Sequence, residues 1–208
     1  MTVDKGSSQN AKLTCDIEGT LTTPQNNWLT LLNGTFRYMR QDPATDFTLT
    51  TNTPFTIPST AGLVINYTNA NFTNVLISNA TNNNADLLLS GKLTLISGNV
   101  YVGPVAAPSN DNDIEYSGSG ASALEIQGGN ITINGQIQKK YFNHQWKPQL
   151  FPNGGNVTIN GNNANVEYAK LEVLNEGSSF MMSGEQSQLS AAEARPMVIY
   201  ISGLQVLL

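Results

Sequence analysis

Gly128–Gly135 reads GGNITING and Gly154–Gly161 reads GGNVTING, a near-identical octet that returns after 26 residues. Upstream, Ser90–Gly98 (SGKLTLISG) has the same shape with a one-residue adjustment. Each unit is a small polar corner followed by an apolar–Thr–apolar triplet. A period of two places the outer residues of such a triplet on one face and the Thr on the other. A strand plus a corner, repeated at a spacing in the twenties, is the length of one solenoid coil.

The same grammar runs outward in both directions. Short apolar runs fall at Trp28–Leu32, Phe47–Leu49, Phe55–Ile57, Leu63–Ile65, Val75–Ile77, Leu87–Leu89, Leu93–Ile96 and Val100–Val102. They continue at Leu124–Ile126, Ile131–Ile133, Val157–Ile159, Val166–Tyr168 and Leu171–Val173. Each is three to five residues, bounded by Gly, Asn, Ser or Pro, which is the signal of a strand and its turns. Strands this short suit a sandwich poorly, and two-residue hairpin turns between longer alternations are missing. Winding about one axis solves both problems, because each coil then bonds to the coils above and below at about 4.8 Å. The expected fold is all-β, a right-handed parallel β-helix of about six to eight coils.

Composition agrees. Charged residues make up 12% of the 208, about half the roughly 25% of an ordinary soluble domain. Asn takes much of their place, with 26 copies, beside 18 Gly. Asn, Thr and Gly all disfavour helix, so a helical bundle is excluded. Hydrophobic residues at 39% suffice for a core. Ten scattered Lys and Arg against fifteen acids leave a net charge of −5, which argues against nucleic acid as a partner. No run of 18 apolar residues predicts a transmembrane helix. The opening MTVDKGSSQN lacks the apolar centre of a signal peptide; an exported chain cut from its leader, or a fragment of a larger one, is expected to start this way. Cys15 is the single cysteine, so neither an internal disulfide nor a thiolate metal site is expected.

With these motifs in order, the chain resembles the repetitive parallel β-helix proteins secreted to the surface of certain Gram-negative bacteria. Those are large adhesin-like chains exported with a C-terminal sorting domain. The resemblance rests on LNGTFRY (Leu32–Tyr38), FTIPSTAGLVI (Phe55–Ile65), LLLSGKLTLISGNVYVG (Leu87–Gly103), DIEYSGSGASALEIQGGNITINGQIQ (Asp113–Gln138), GGNVTING and GSSFMMSG (Gly177–Gly184). It implies a spacer, adhesive or display role, with no catalytic residues and no cofactor to carry over. It also implies a secreted or cell-surface location, with surface glycans or other proteins as partners.

The expected division is an N-terminal cap or leader remnant at 1–27, the β-helix at 28–184, and an atypical tail or cap at 185–208. The tail departs from the pattern at Glu185–Arg195 (EQSQLSAAEAR). With permitted codons, a shifted reading frame from Glu185 gives GTITIVRGGGSTYGDLYLWS, a better continuation. The tail is therefore either a frameshifted end or a short helix at Ala191–Ala194 followed by a strand at Met197–Ile201. Open strand edges at the ends predict end-to-end self-association.

Few residues suggest chemistry. Asp111, Asp113 and Glu115 alternate as calcium ligands can, yet lack the Gly and the twelfth-position acid of an EF-hand; a solvated turn is expected. Glu115, Glu125, Glu167 and Glu172 each sit between apolar neighbours, which puts the carboxylates outside. Glycoside cleavage needs two carboxylates about 5 to 9.5 Å apart, one of them protonated. A polyuronate lyase would add a basic residue, but Arg37, Arg40 and Arg195 are expected at non-matching strand positions. A carbohydrate-active β-helix that binds or cleaves acidic polysaccharide is the alternative function; an ice-binding solenoid is weaker, for want of a regular Thr-x-Thr ladder. His144 is the only histidine and cannot build a multi-histidine metal site. Its segment, Lys139–Pro152, interrupts the repeat, and Tyr141, Phe142, His144 and Trp146 are the best ligand-binding candidates, since aromatic side chains stack on sugars and anchor partners. The sequons at Asn33, Asn66, Asn71, Asn79, Asn130 and Asn156 are expected at coil corners, where one amide can bond to its equivalent a coil away.

Overall fold

The computed structural model describes residues 1–17, 27–40, 46–66, 74–79, 85–105, 112–116, 122–139, 149–152, 156–159, 170–173, 179–182, 200–201 and 206–207. Every strand pairing among them is parallel, and no helix occurs. The chain is an all-β parallel solenoid. One turn consists of three strands that fall on three separate sheets. Thr30–Arg40, Phe47–Thr48 and Phe55–Ile57 form the first turn; Ala61–Asn66, Asn74–Ser78 and Leu87–Leu89 form the second. Lys92–Ser97, Asn99–Val102 and Ile114–Tyr116 make the third, and Ala123–Ile126, Asn130–Ile133 and Ile137–Lys139 the fourth.

Four turns are therefore complete among the described residues, against the six to eight expected. Beyond them the first two sheets continue through Gln149–Pro152 with Asn156–Ile159, Lys170–Val173 with Ser179–Met182, and Tyr200–Ile201 with Val206–Leu207. The third sheet ends, among the described residues, at Ile137–Lys139. At the start, Thr2–Asp4 and Lys12–Ile17 both pair with Thr30–Arg40. Within the tail, Tyr200–Ile201 is a strand, and residues 183–199, Ala191–Ala194 among them, lie outside the described residues.

Register explains the triplets. Phe36, Leu63, Leu93 and Leu124 stand at one position of successive rungs, and Tyr38, Ile65, Leu95 and Ile126 at another. All eight are buried. The second sheet adds the column Phe47, Val75, Val100, Ile131 and Val157, and the third adds Phe55, Leu87, Ile114 and Ile137. These columns meet in one continuous core. Burying each such side chain is worth about 1.5–3 kcal/mol. The first turn is filled differently: Tyr38 stacks on Phe47 at 4.0 Å, and Trp28 meets Phe47 edge-on at 5.2 Å. The Trp28 indole N–H donates to the Thr48 carbonyl at 3.1 Å, so the ring closes the core end without leaving its polar atom unpaired.

The Gly-Asn corner of the repeat has a physical reading. Gly98 and Gly129 adopt φ of 105° and 77°, a left-handed region that side chains resist. A Cβ on Gly129 would also lie 2.3 Å from the Gly98 carbonyl oxygen. The next residues form an amide ladder: Asn156 donates to Asn130 at 2.6 Å, and Asn130 to Asn99 at 2.8 Å. Asn33 donates likewise to Asp4 at 2.7 Å, and Asn66 accepts from Ser97 at 3.3 Å. Corner bonding between coils thus holds for these positions; Asn71 lies outside the described residues.

The strands are not uniformly short. The run expected at Trp28–Leu32 extends as Thr30–Arg40, 11 residues long, because Gly34 at φ 82° lets the strand turn and continue. Rung-to-rung spacing among the described residues ranges from 21, at Gln149 to Lys170, to 32, at Phe55 to Leu87.

Leu87, Leu88 and Leu89 test this arrangement directly, since hydropathy cannot tell them apart while the period of two can. Leu87 and Leu89 are buried and Leu88 is half-buried. Leu87→Ala and Leu89→Ala are each expected to lose about 2–5 kcal/mol in equilibrium denaturation, and Leu88→Ala less than half as much.

Candidate functional site

The residues that face away from the core on the first sheet form two columns. One runs Lys12, Thr35, Gly62, Lys92, Ala123; the other runs Thr14, Arg37, Val64, Thr94, Glu125. Between Lys12 with Arg37 on one side and Lys92 with Glu125 on the other lies the rung Ala61–Asn66. Its outward residues are Gly62, which has no side chain, and Val64, which is small. Val64 and the outward side chains of the flanking rungs line a groove of about 440 Å³ that crosses the rungs. Gln9 and Asn10 line one end, and Ile96 and Gln127 the other.

Arg37 therefore does occupy a strand position that matches Glu125, contrary to expectation. Register carries it there through Val64 and Thr94, although 88 positions part the two residues in sequence. Three rung steps still separate their backbones by about 14 Å, so they do not pair. Arg40 is the last residue of its strand, opposite Ile17, and Arg195 lies outside the described residues.

Glu125 is paired instead with Lys92 one rung below, and Gln127 donates to its Oε1 at 2.8 Å. Partial burial pushes the Glu125 carboxyl up, but the hydrogen bonds from Lys92 and Gln127 and the Lys92 charge outweigh it. The group is held below the ordinary glutamate value. It is an ionised acceptor at neutral pH and not a proton donor. Arg37 makes no hydrogen bond or ion pair among the described residues, and its Nε is shielded from solvent without a partner. The Lys12 ammonium has no described partner either, while Lys5 donates to the Lys12 carbonyl at 2.9 Å.

The other sequence candidates are dispersed. Tyr141, Phe142, His144 and Trp146 lie outside the described residues, as do Asp111 and Glu167. Gln149–Pro152, read from sequence as part of an interrupting segment, pairs in register with Ala123–Ile126 as an ordinary rung. Glu115 is on the third sheet and Glu125 on the first. Glu172 belongs to the first sheet, two rungs beyond Glu125. Asp113 was expected in a solvated turn and is instead buried. Its Oδ1 accepts the Gln136 backbone N–H at 2.6 Å, as Asp86 accepts that of Asp113 at 2.9 Å. These two carboxylates cap the rungs above them. Among the described residues no three His, Cys, Asp or Glu side chains gather where a metal could sit, and no helix is long and apolar enough to cross a membrane. Cys15 packs beside the core, and burial followed by the Asp16 charge pushes its thiol up.

Sequence reasoning missed Gln9, Asn10 and Lys12 as groove residues, because they belong to the segment assigned to a cap. The only signal was the alternation in Lys12–Ile17 (KLTCDI), where Leu, Cys and Ile take every second place. The chain has no match among protein-family models, curated proteins or solved structures.

The Lys92–Glu125 pair gives a pH prediction. The carboxyl has a lower pKa folded than unfolded, so its contribution to stability is complete above the unfolded glutamate pKa and is lost as pH falls through the folded one. Carboxyl titration followed by NMR is expected to find Glu125 below about 4.3, the free-glutamate value, and Lys92→Met is expected to raise it.

Proposed function

We propose that this chain is a non-enzymatic module of a secreted, surface-exposed bacterial β-solenoid protein, serving adhesion, display or spacing. The observation that supports the reading is the continuous parallel pairing of the first two sheets, which runs from the first turn to Tyr200–Ile201 in one and Val206–Leu207 in the other across register shifts at Ile65/Asn66 and Tyr101/Val102. Each rung hydrogen-bonds to its neighbours along the axis, which makes a stiff rod whose length scales with coil number. The outward positions of the second sheet carry the column Asn74, Asn99, Asn130, Asn156 and, beside it, Thr132 and Thr158, a hydrated surface on which loops can be shown. The resemblance to surface β-helix proteins points the same way.

A second reading, binding of acidic polysaccharide, is favoured by one feature: Lys12 and Arg37 converge on the groove without carboxylate partners. Cleavage is less well supported than binding. The carboxylate lining the groove, Glu125, is held ionised, whereas glycoside cleavage needs a second acid with a raised pKa.

The test is display of the chain on a bacterial surface behind an export leader, with adhesion to glycan-coated and protein-coated supports as the readout. Cells carrying the module are expected to adhere more than cells carrying the leader alone. Purified chain that releases reducing or unsaturated sugars from acidic polysaccharides, in proportion to protein added, would overturn the non-enzymatic reading.

A further inference from the structure

We propose that Arg37, with Lys12, seats a carboxylate or sulfate group of an acidic glycan lying in the groove of the first sheet; this rests on the second reading above.

Arg37 makes the case by its isolation. Its guanidinium carries a full charge at any physiological pH. Yet no described hydrogen bond or ion pair meets it, and its Nε is shielded from water without an acceptor. Native structures leave few buried donors unmatched, and each exception calls for a cause such as an absent ligand. Its own column offers no carboxylate close by: Thr14 and Val64 flank it directly, and the nearest acid on the column, Glu125, is three rungs away and committed to Lys92.

Charge within the groove supports the same conclusion. The whole chain is acidic, at −5, but the groove is lined by Lys12, Arg37 and Lys92 against Glu125 alone. A concave surface of inverted sign concentrates anions. The planar guanidinium fork matches the two oxygens of a carboxylate or sulfate, and Lys12 stands on the adjacent column as a second donor. The remaining walls suit sugar. Gln127 and Asn10 carry carboxamides, Thr94 a hydroxyl, and Val64 and Ile96 present apolar surface to a ring face. Nothing in this set activates water, so the assignment is to binding. Gly62 lets Thr35 pack close at the base of this wall: a Cβ there would lie 2.6 Å from the Thr35 hydroxyl.

The experiment is isothermal titration of the full chain with a uronic-acid oligosaccharide and with the same oligosaccharide methyl-esterified to neutrality. Binding of the acid form, weakened by added salt, and little binding of the neutral form are expected. Arg37→Ala is expected to weaken acid-form binding by at least about tenfold, the loss of one charge-assisted hydrogen-bond pair. Arg37→Lys is expected to weaken it less, since charge stays while the fork goes. The exposed Thr56→Ala on the third sheet serves as the control and should bind as wild type. If wild type binds the acid form and Arg37→Ala and Arg37→Lys, both folded by thermal melt, bind it equally well, the Arg37 seat is overturned while acidic-polysaccharide binding stands. Equal affinity for the neutral form overturns the anion assignment. If wild type binds neither form, the seat and the reading it rests on fall together.

Discussion

Parallel stacking in register places the same kind of residue above itself, rung after rung, at about 4.8 Å. That spacing rewards groups that bond to their own kind and penalises those that repel. Two like charges about 4 Å apart near a protein surface oppose each other by about 4 kcal/mol, whereas an Asn amide is both donor and acceptor and can satisfy its own copy. The 12% charge and the 26 Asn are one constraint seen from two sides. The ladder Asn156–Asn130–Asn99 shows the favoured case. The cations of the first sheet show the permitted one: on their shared column Lys12 and Lys92 are kept apart by Thr35 and Gly62.

The same stacking governs the interior. A column such as Phe36, Leu63, Leu93, Leu124 needs only that each member be apolar and near the right size, so the core tolerates varied sequence without losing register. Corners are less forgiving. Gly129 must hold a left-handed angle close against Gly98, and Asp86 and Asp113 must each take the next rung's backbone N–H. Register is thus set at the corners, while the core supplies the hydrophobic free energy. This division of labour agrees with the octet, in which the one exchange, Ile131 for Val157, falls on an inward apolar position while the Gly-Gly-Asn corner is kept.

Much of the fold was legible in those short triplets. Ile131 and Ile133 announce an inward face by alternation alone, and Val157 and Ile159 repeat it 26 residues later at the matching position. The candidate site was far less legible. Arg37 and Glu125 are aligned only once the number of residues in each intervening turn is known, and that number runs 27, 30 and 31. A one-residue error in any corner turns an outward residue inward. Alternation within a strand is local, whereas alignment between strands sums every corner along the way. The strand Lys12–Ile17 was obscured for a different reason. It sits at the end of the stack, so it has one neighbour to pack on, and Leu13 remains exposed.

The groove opens on the first sheet where the rung Ala61–Asn66 offers it only the short Val64 side chain. At Gly62 the Thr35 hydroxyl packs over the backbone, 2.6 Å from where a Cβ would stand, and at Val64 the side chain is short and apolar, so Arg37 meets no polar side chain on that rung of its column. Lys92 can turn toward Glu125 one rung on, and does. Arg37 has no acid within one rung on its column, because Thr14 lies on one side and Val64 on the other. The gap that opens the groove is therefore also what strands the guanidinium beside it. A solenoid built only to extend could have matched Arg37 with an acid at position 64; this one sets the groove beside a guanidinium that has no partner among the described residues.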